Sequence, residues 1–240
     1  MEHGFTWVGA IPGLSAMPPH LVTALLVMVL LLIFGLRARA QLAAATDPTV
    51  PDTGFTARNI AEVLTEFITS LAEGVLGHDA PKYVPLFGSL FLFILAANLV
   101  GLLPGFAPPT SDFNVTFALG ATSFVVYNYY GFRAKGLGYL KHFLGPIWWL
   151  AFLMLPLELI DNFVRPVSLA LRLFGNMTGD HLVLEIFTGL TKIGVPVVFY
   201  ALGAFVSLIQ AFVFTILSII YLSLALAEHE HHEEAHAENH

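Results

Sequence analysis

Between Gly145 and Thr191 an apolar background carries Glu158, Asp161, Asn162, Arg165, Arg172, Asn176, Asp180, His181 and Glu185. In a helix turning about 100° per residue, Glu158, Asp161, Arg165, Arg172 and Asn176 fall within roughly 60° of one another. His181, Glu185 and Thr188 form a second stripe on roughly the opposite side. These are the residue types of proton transfer. Imidazole titrates near neutral pH, and a carboxylate is tuned upward by burial. Arginine cannot be deprotonated in a protein, so it passes no proton on, yet its fixed charge lowers the pKa of a carboxylate brought beside it. Lysine can lose its proton when buried and would make a poorer barrier. Two polar stripes on opposite faces suggest two wet paths, each part way through a membrane, with Arg172 near their junction. The competing reading is structural: ion pairs and snorkelling cations, which suits Arg165 and Lys192 near helix ends. It suits Arg172 less, because no acid occupies the four positions before it.

Such a stretch needs a bilayer around it, and the composition supplies the reason. The 240 residues are 57% hydrophobic, only 11% charged and without cysteine, and the mean hydropathy is +0.77. Soluble chains run nearer a quarter charged. Too little polar surface is present to coat a water-soluble globule, and intrinsic disorder and a disulfide scaffold are excluded by the same composition. The net charge is −7, but the segment after Ala227 holds five acids and no base, leaving −2 for the rest. No basic surface points to nucleic acid. The chain reads as an all-α polytopic membrane protein.

A bilayer core about 30 Å thick takes roughly 20 apolar residues of helix. The first span is expected at Pro18–Leu36, closed by Arg37 and Arg39; the residues before it carry no Lys or Arg, unlike a secretory signal. Residues 57–76 read as an amphipathic helix along the interface. Ile60, Val63, Leu64, Phe67, Ile68, Leu71 and Val75 share one face, with Glu62, Glu66 and Glu73 away from it. That acidic face suits a protein neighbour better than anionic lipid. Further spans are expected at Tyr83–Leu103 and Phe113–Tyr130. The connection Pro104–Asp112 has no Lys or Arg, whereas Arg133, Lys135 and Lys141 follow the third span. Basic, basic-free and basic ends alternate as the positive-inside rule demands, so the N-terminus is expected outside and Phe132–His142 in the cytoplasm. Pro156 and Pro166 are expected to bend the polar helix of residues 145–191. The last stretch, Val195–Ala227, spans about 50 Å as helix, too long for an upright crossing. The tail 228–240 is expected to be solvated, disordered and cytoplasmic.

The string Ser168-Leu-Ala-Leu-Arg-Leu-Phe-Gly-Asn-Met177 resembles the signature of subunit a of the F-type ATP synthase. Asn98-Leu-Val-Gly-Leu-Leu-Pro104, Phe113-Asn-Val-Thr116 and the run Gln210–Ser223 resemble further motifs of that family, in the correct order. The resemblance covers about Tyr83–Ala227. It implies about five membrane-embedded helices and one interfacial helix, the last two long, steeply tilted and facing a rotating ring of c subunits. It also implies contact with peripheral-stalk b subunits, the rest of the complex and lipid. Arg172 matches the family's essential arginine between two aqueous half-channels. Asn176 and Gln210 match polar positions near it. Glu158 matches a carboxylate position of the cytoplasmic half-channel, a path that Asp161 is expected to line with it, and His181 matches a position in the opposite one. The family often places His or Glu seven residues before the conserved glutamine, where this chain has Gly203; Glu185 is the candidate substitute.

No cofactor, metal or bound nucleotide is expected. The chain has no Gly-rich loop ending in Gly-Lys-Ser/Thr, and His181 is its one histidine deep in the apolar region, too few for an intramembrane metalloenzyme. A secondary transporter also places charges at mid-membrane, but no internal repeat pairs the two halves. The lack of an Arg-rich presequence favours a bacterial plasma membrane.

Overall fold

The computed structural model describes residues 17–45, 52, 54–136, 138, 151–190 and 194–227. Among these residues there are six α-helices and no strand: α1 (Pro19–Ala44), α2 (Ala57–Leu76), α3 (Val84–Gly101), α4 (Phe113–Lys135), α5 (Ala151–Leu190) and α6 (Gly194–Ala227). Two 3-10 turns, Gly77–Lys82 and Pro109–Ser111, stand before α3 and α4. Lys141, residues 145–150, Lys192 and the tail 228–240, all named above, lie outside the described residues.

Helix boundaries follow local chemistry. Thr56 caps α2 by accepting the Asn59 N–H, and Asp112 caps α4 by accepting the Asn114 N–H at 2.9 Å. Gly136, at φ +53°, closes α4 with its N–H on the Phe132 carbonyl at 2.8 Å. At the end of α2 the Asp79 carboxylate sits 2.6 Å from Lys82 and raises the ammonium above its ordinary value.

Three helices, α1, α3 and α6, are long and apolar enough to cross a bilayer by length and composition. The all-helical fold is that of a polytopic membrane protein. The first helix differs from expectation: it continues past Leu36 to Ala44 instead of stopping before Arg37. The polar residues of this extension tie it to the next element, since the Gln41 Oε1 accepts the Arg58 N–H at 2.9 Å. Residues 57–76 form the helix α2, and part of its acidic face is answered within the chain. Arg58, 2% exposed, lies 2.6 Å from Glu62 and 3.2 Å from Asp52. The polar helix runs unbroken through Pro156 and Pro166.

The core lies where α3, α4, α5 and α6 meet, built from Phe87, Phe91, Ile94, Tyr127, Leu169, Leu173, Phe214 and Ile219. In lipid, apolar burial gives no hydrophobic gain between helices, so close contact and hydrogen bonds must hold the bundle. Both join α4 to α5. The Tyr127 hydroxyl donates to the Asn162 Oδ1 at 2.7 Å, and the Asn162 Nδ2 donates to the Asn128 Oδ1 at 3.2 Å. At Gly120 the backbones approach so closely that a Cβ would stand 2.5 Å from the Pro166 carbonyl oxygen. Gly120→Ala is therefore expected to lower the stability of the purified protein by about 1–3 kcal/mol through overpacking. Gly88→Ala, with nothing within 4 Å, should be neutral or stabilising. Thermal or denaturant unfolding in detergent checks the pair, and equal stability of Gly120→Ala and the native chain would refute the close approach.

Candidate functional site

Three contacts join α5 to α6. The Arg165 guanidinium lies over the Tyr221 ring, 5.4 Å from its centroid. The Asn176 Nδ2 donates to the Gln210 Oε1 at 2.7 Å. The Phe187 and Phe199 rings stack with centroids 4.4 Å apart. The residue numbers of each pair add to the same total, so the helices form an antiparallel hairpin with one register over about 33 Å. That register sets Arg172 opposite Phe214, Gly179 opposite Ser207, Asp180 opposite Val206 and Val183 opposite Gly203.

The residues singled out by sequence occupy distinct surroundings. Arg172 is exposed, and among the described residues it has neither ion pair nor hydrogen bond. Its neighbours Leu169 and Leu173 are buried, so the chain packs behind it and leaves the guanidinium free. Asn176, one turn on, reaches the buried Gln210. Asp161 is exposed and pairs with Arg165 at 2.6 Å. Glu158, on the same stripe, is half-buried. His181 and Glu185 are exposed. The fold thus joins Asn176 to Gln210 and Asp161 to Arg165, and leaves His181 and Glu185 on the open surface of α5.

Besides the Asn176–Gln210 bridge, the described helices bury several polar atoms that lack a partner. The Asn98 Nδ2, Thr178 Oγ1, Asp180 Oδ2, Ser207 Oγ, Gln210 Nε2 and Thr215 Oγ1 are shielded from solvent and lack a hydrogen-bond partner among the described residues. Thr110, in the turn before α4, donates to the Asn98 Oδ1 at 2.6 Å. Each unsatisfied buried group costs about 1–3 kcal/mol. Several together would rival a net folding stability of about 5–15 kcal/mol, so groups of this kind are completed by water.

A Cβ at Gly203 would stand 2.7 Å from the Leu102 Cδ2, the flexible end of a side chain that would have to swing aside for it. The contact also sets α3 level with α6: Asn98 is one turn from Leu102, as Ser207 is from Gly203. Sequence reading placed Asn98 in a motif and Asp180 in the polar stretch, but on neither stripe. The available signal was the spacing of four from Arg172 to Asn176 to Asp180. Which side of α5 is shielded depends on α4, α6 and the Pro109–Ser111 turn, and no helical wheel of α5 contains that.

Fold and site together define a helical membrane protein whose longest hairpin carries an exposed arginine, unpaired among the described residues, one turn from the Asn176–Gln210 bridge. The chain belongs to the ATP synthase subunit a family, since the model of that family, described as ATP synthase A chain, matches residues 20–223. ATP synthase subunit a of Bdellovibrio bacteriovorus is 43% identical over 228 residues, covering 95% of this chain and 99% of the relative. Its counterpart from Geobacter sulfurreducens is 45% identical over 203 residues, 85% of each chain. That from Sorangium cellulosum is 39% identical over 210 residues, 87% of this chain and 82% of the relative.

The hairpin register has a direct test, because the native chain has no cysteine. Phe187→Cys with Phe199→Cys should cross-link under mild oxidation. Val183→Cys with Phe199→Cys, one turn out of register, should not, because a disulfide needs Cα atoms within about 7 Å. Cross-linking of the second pair alone would mean a different register.

Proposed function

We propose that this chain is the proton-translocating stator subunit of an F-type ATP synthase in a bacterial plasma membrane, facing a ring of c subunits and held by peripheral-stalk b subunits. It catalyses no chemistry itself and binds no nucleotide. In this reading the end of the bundle bearing Arg37, Arg39, Arg133 and Lys135 is cytoplasmic, the Pro104–Asp112 end faces outside, and the C-terminus is cytoplasmic.

The observation that carries the reading is Arg172. A fixed cation on a membrane helix is costly, about 2.5–3.5 kcal/mol on insertion scales and more in simulations. Here it is exposed, with no acidic partner among the described residues. A carboxylate arriving from another subunit is the partner that its chemistry selects. Membership of the subunit a family supports that source.

A proton enters from outside, where His181 and Glu185 stand, and reaches a ring carboxylate beside the arginine. The neutralised site can then enter lipid, which the charged form could not do without a penalty of several kcal/mol. After nearly a full turn the site gives its proton to the cytoplasmic path lined by Glu158 and Asp161. Arg172 stabilises the emptied carboxylate and blocks direct passage between the paths, because guanidinium does not release its proton. The Asn176–Gln210 bridge holds the hairpin closed one turn from the arginine. Each charge crossing 100 mV releases about 2.3 kcal/mol, so several protons must pass for each ATP made.

Arg172→Ala should abolish ATP-driven proton pumping in inverted membrane vesicles. Because the side chain makes no contact that the fold needs, blots for the other subunits should show normal assembly. Full pumping by an assembled Arg172→Ala complex would overturn this function.

A further inference from the structure

We propose that Asp161 is the counter-ion that masks Arg165, leaving Arg172, among the described residues, as the uncompensated cation of the face past which the ring carboxylate moves. The proposal rests on the half-channel reading above and deepens it. Asp161 becomes a fixed charge, and proton transfer in the cytoplasmic path falls to Glu158.

Two arginines share one face of α5. Arg165 and Arg172 are seven residues apart in an unbroken helix. Their directions therefore differ by only about 20°, and they stand about 10 Å apart along the axis. Their surroundings differ. The positions three and four residues on either side of Arg172 are Ser168, Leu169, Gly175 and Asn176, none of them acidic. Arg165 has Asp161 one turn before it, and its Nη2 donates to the Asp161 Oδ2 at 2.6 Å. An acid four residues before a base is the favourable order for such a pair in a helix.

The Arg165 guanidinium is held on a second side. Its carbon lies 5.4 Å from the centroid of the Tyr221 ring of α6, so an aromatic face and a carboxylate fix its place together. The Arg165 side chain is 25% exposed and that of Asp161 59%. The carboxylate is the more open partner of the pair, and an approaching subunit meets neutralised charge.

Among the described residues no other acid is placed to answer Arg165. The α6 helix carries no charged residue, and α4 has the bases Arg133 and Lys135 but no acid. Asn162, next to Asp161, is engaged with Tyr127 and Asn128. Glu158, seven residues before Arg165, stands about 10 Å from it along the helix.

The need for a mask follows from the work of Arg172. A ring carboxylate on the cytoplasmic side of Arg172 comes within reach of Arg165. In ATP-driven pumping that carboxylate must take up a proton beside the cytoplasmic path. An uncompensated cation there would hold it ionised and oppose the step. Paired with Asp161, Arg165 presents little net charge, and the hold on the emptied carboxylate stays with Arg172.

The test is ATP-driven pumping by the whole complex in inverted vesicles, expressed per assembled complex from blots of the other subunits. Asp161→Asn should slow pumping by about tenfold, the scale of one unit charge acting over roughly 10 Å at an effective dielectric constant of about 20. Asp161→Glu keeps the charge and should stay within about threefold of the native rate. Adding Arg165→Gln to Asp161→Asn removes the cation that needed the mask, and the pair should return to within about threefold of native. Native pumping by Asp161→Asn, or equal loss in the Asn and Glu variants, would overturn the proposal. So would a double variant as slow as Asp161→Asn, because a lost proton carrier cannot be replaced by a change at position 165. Should Asp161→Asn fail to assemble, the double variant decides alone: pumping by its assembled complex supports the mask, and silence overturns it. Loss of pumping in Arg172→Ala alongside native pumping in Asp161→Asn would defeat this proposal and leave the proposed function standing.

Discussion

The register of the α5–α6 hairpin is the constraint on which the other features depend. It is held at three levels by three kinds of contact: a guanidinium over a ring, an amide bridge and an aromatic stack. None is strong alone, since interhelical hydrogen bonds in membranes average about 0.6 kcal/mol. Their effect comes from agreement, because a slip of one residue would misplace all three at once. With 40 and 34 residues, these helices are about 60 and 51 Å long. A bilayer core of about 30 Å cannot contain either upright. Long helices need a fixed register if polar groups on one are to meet polar groups on the other.

The remaining helices act on that hairpin. The α4 helix brings Gly120 against the Pro166 carbonyl and anchors Asn162 through Tyr127 and Asn128, so the proline in mid-helix is covered by protein. Irregular backbone at membrane depth is tolerated under such cover. From the other side, the Leu102 side chain at the end of α3 lies against Gly203, and Asn98 accepts from Thr110 in the turn before α4. Rigid apolar packing and unsatisfied polar atoms therefore stand side by side. The packing in lipid gains nothing from hydrophobicity, so small residues that allow backbone approach carry much of the specificity.

Much was legible in the amino-acid order because a bilayer is a demanding solvent. Runs of apolar residues located the long helices, though α1 runs past its expected end at Leu36 to Ala44, and the amphipathic stripe of residues 57–76 coincides with α2. Motif order from Asn98 to Ser223 pointed to the family that the comparisons then established. Other features needed partners distant in sequence. The extension of α1 to Ala44 depends on Gln41 finding Arg58. The acidic face of α2 could not reveal that Arg58 answers Glu62 and Asp52.

The sequence by itself determined the helical membrane class, the isolation of Arg172 from acids in its own helix, and the candidate polar residues. These follow from transfer energies and helical periodicity, which are local. Only the tertiary structure decided which polar groups are shielded. A wheel drawn for α5 treats Asp180, His181 and Glu185 alike as polar positions on an apolar rod. The fold shields the Asp180 Oδ2 and leaves His181 and Glu185 exposed. Burial is a property of the neighbours as much as of the residue, and those packed on α5 include α4 and the Pro109–Ser111 turn, distant from Asp180 in the chain.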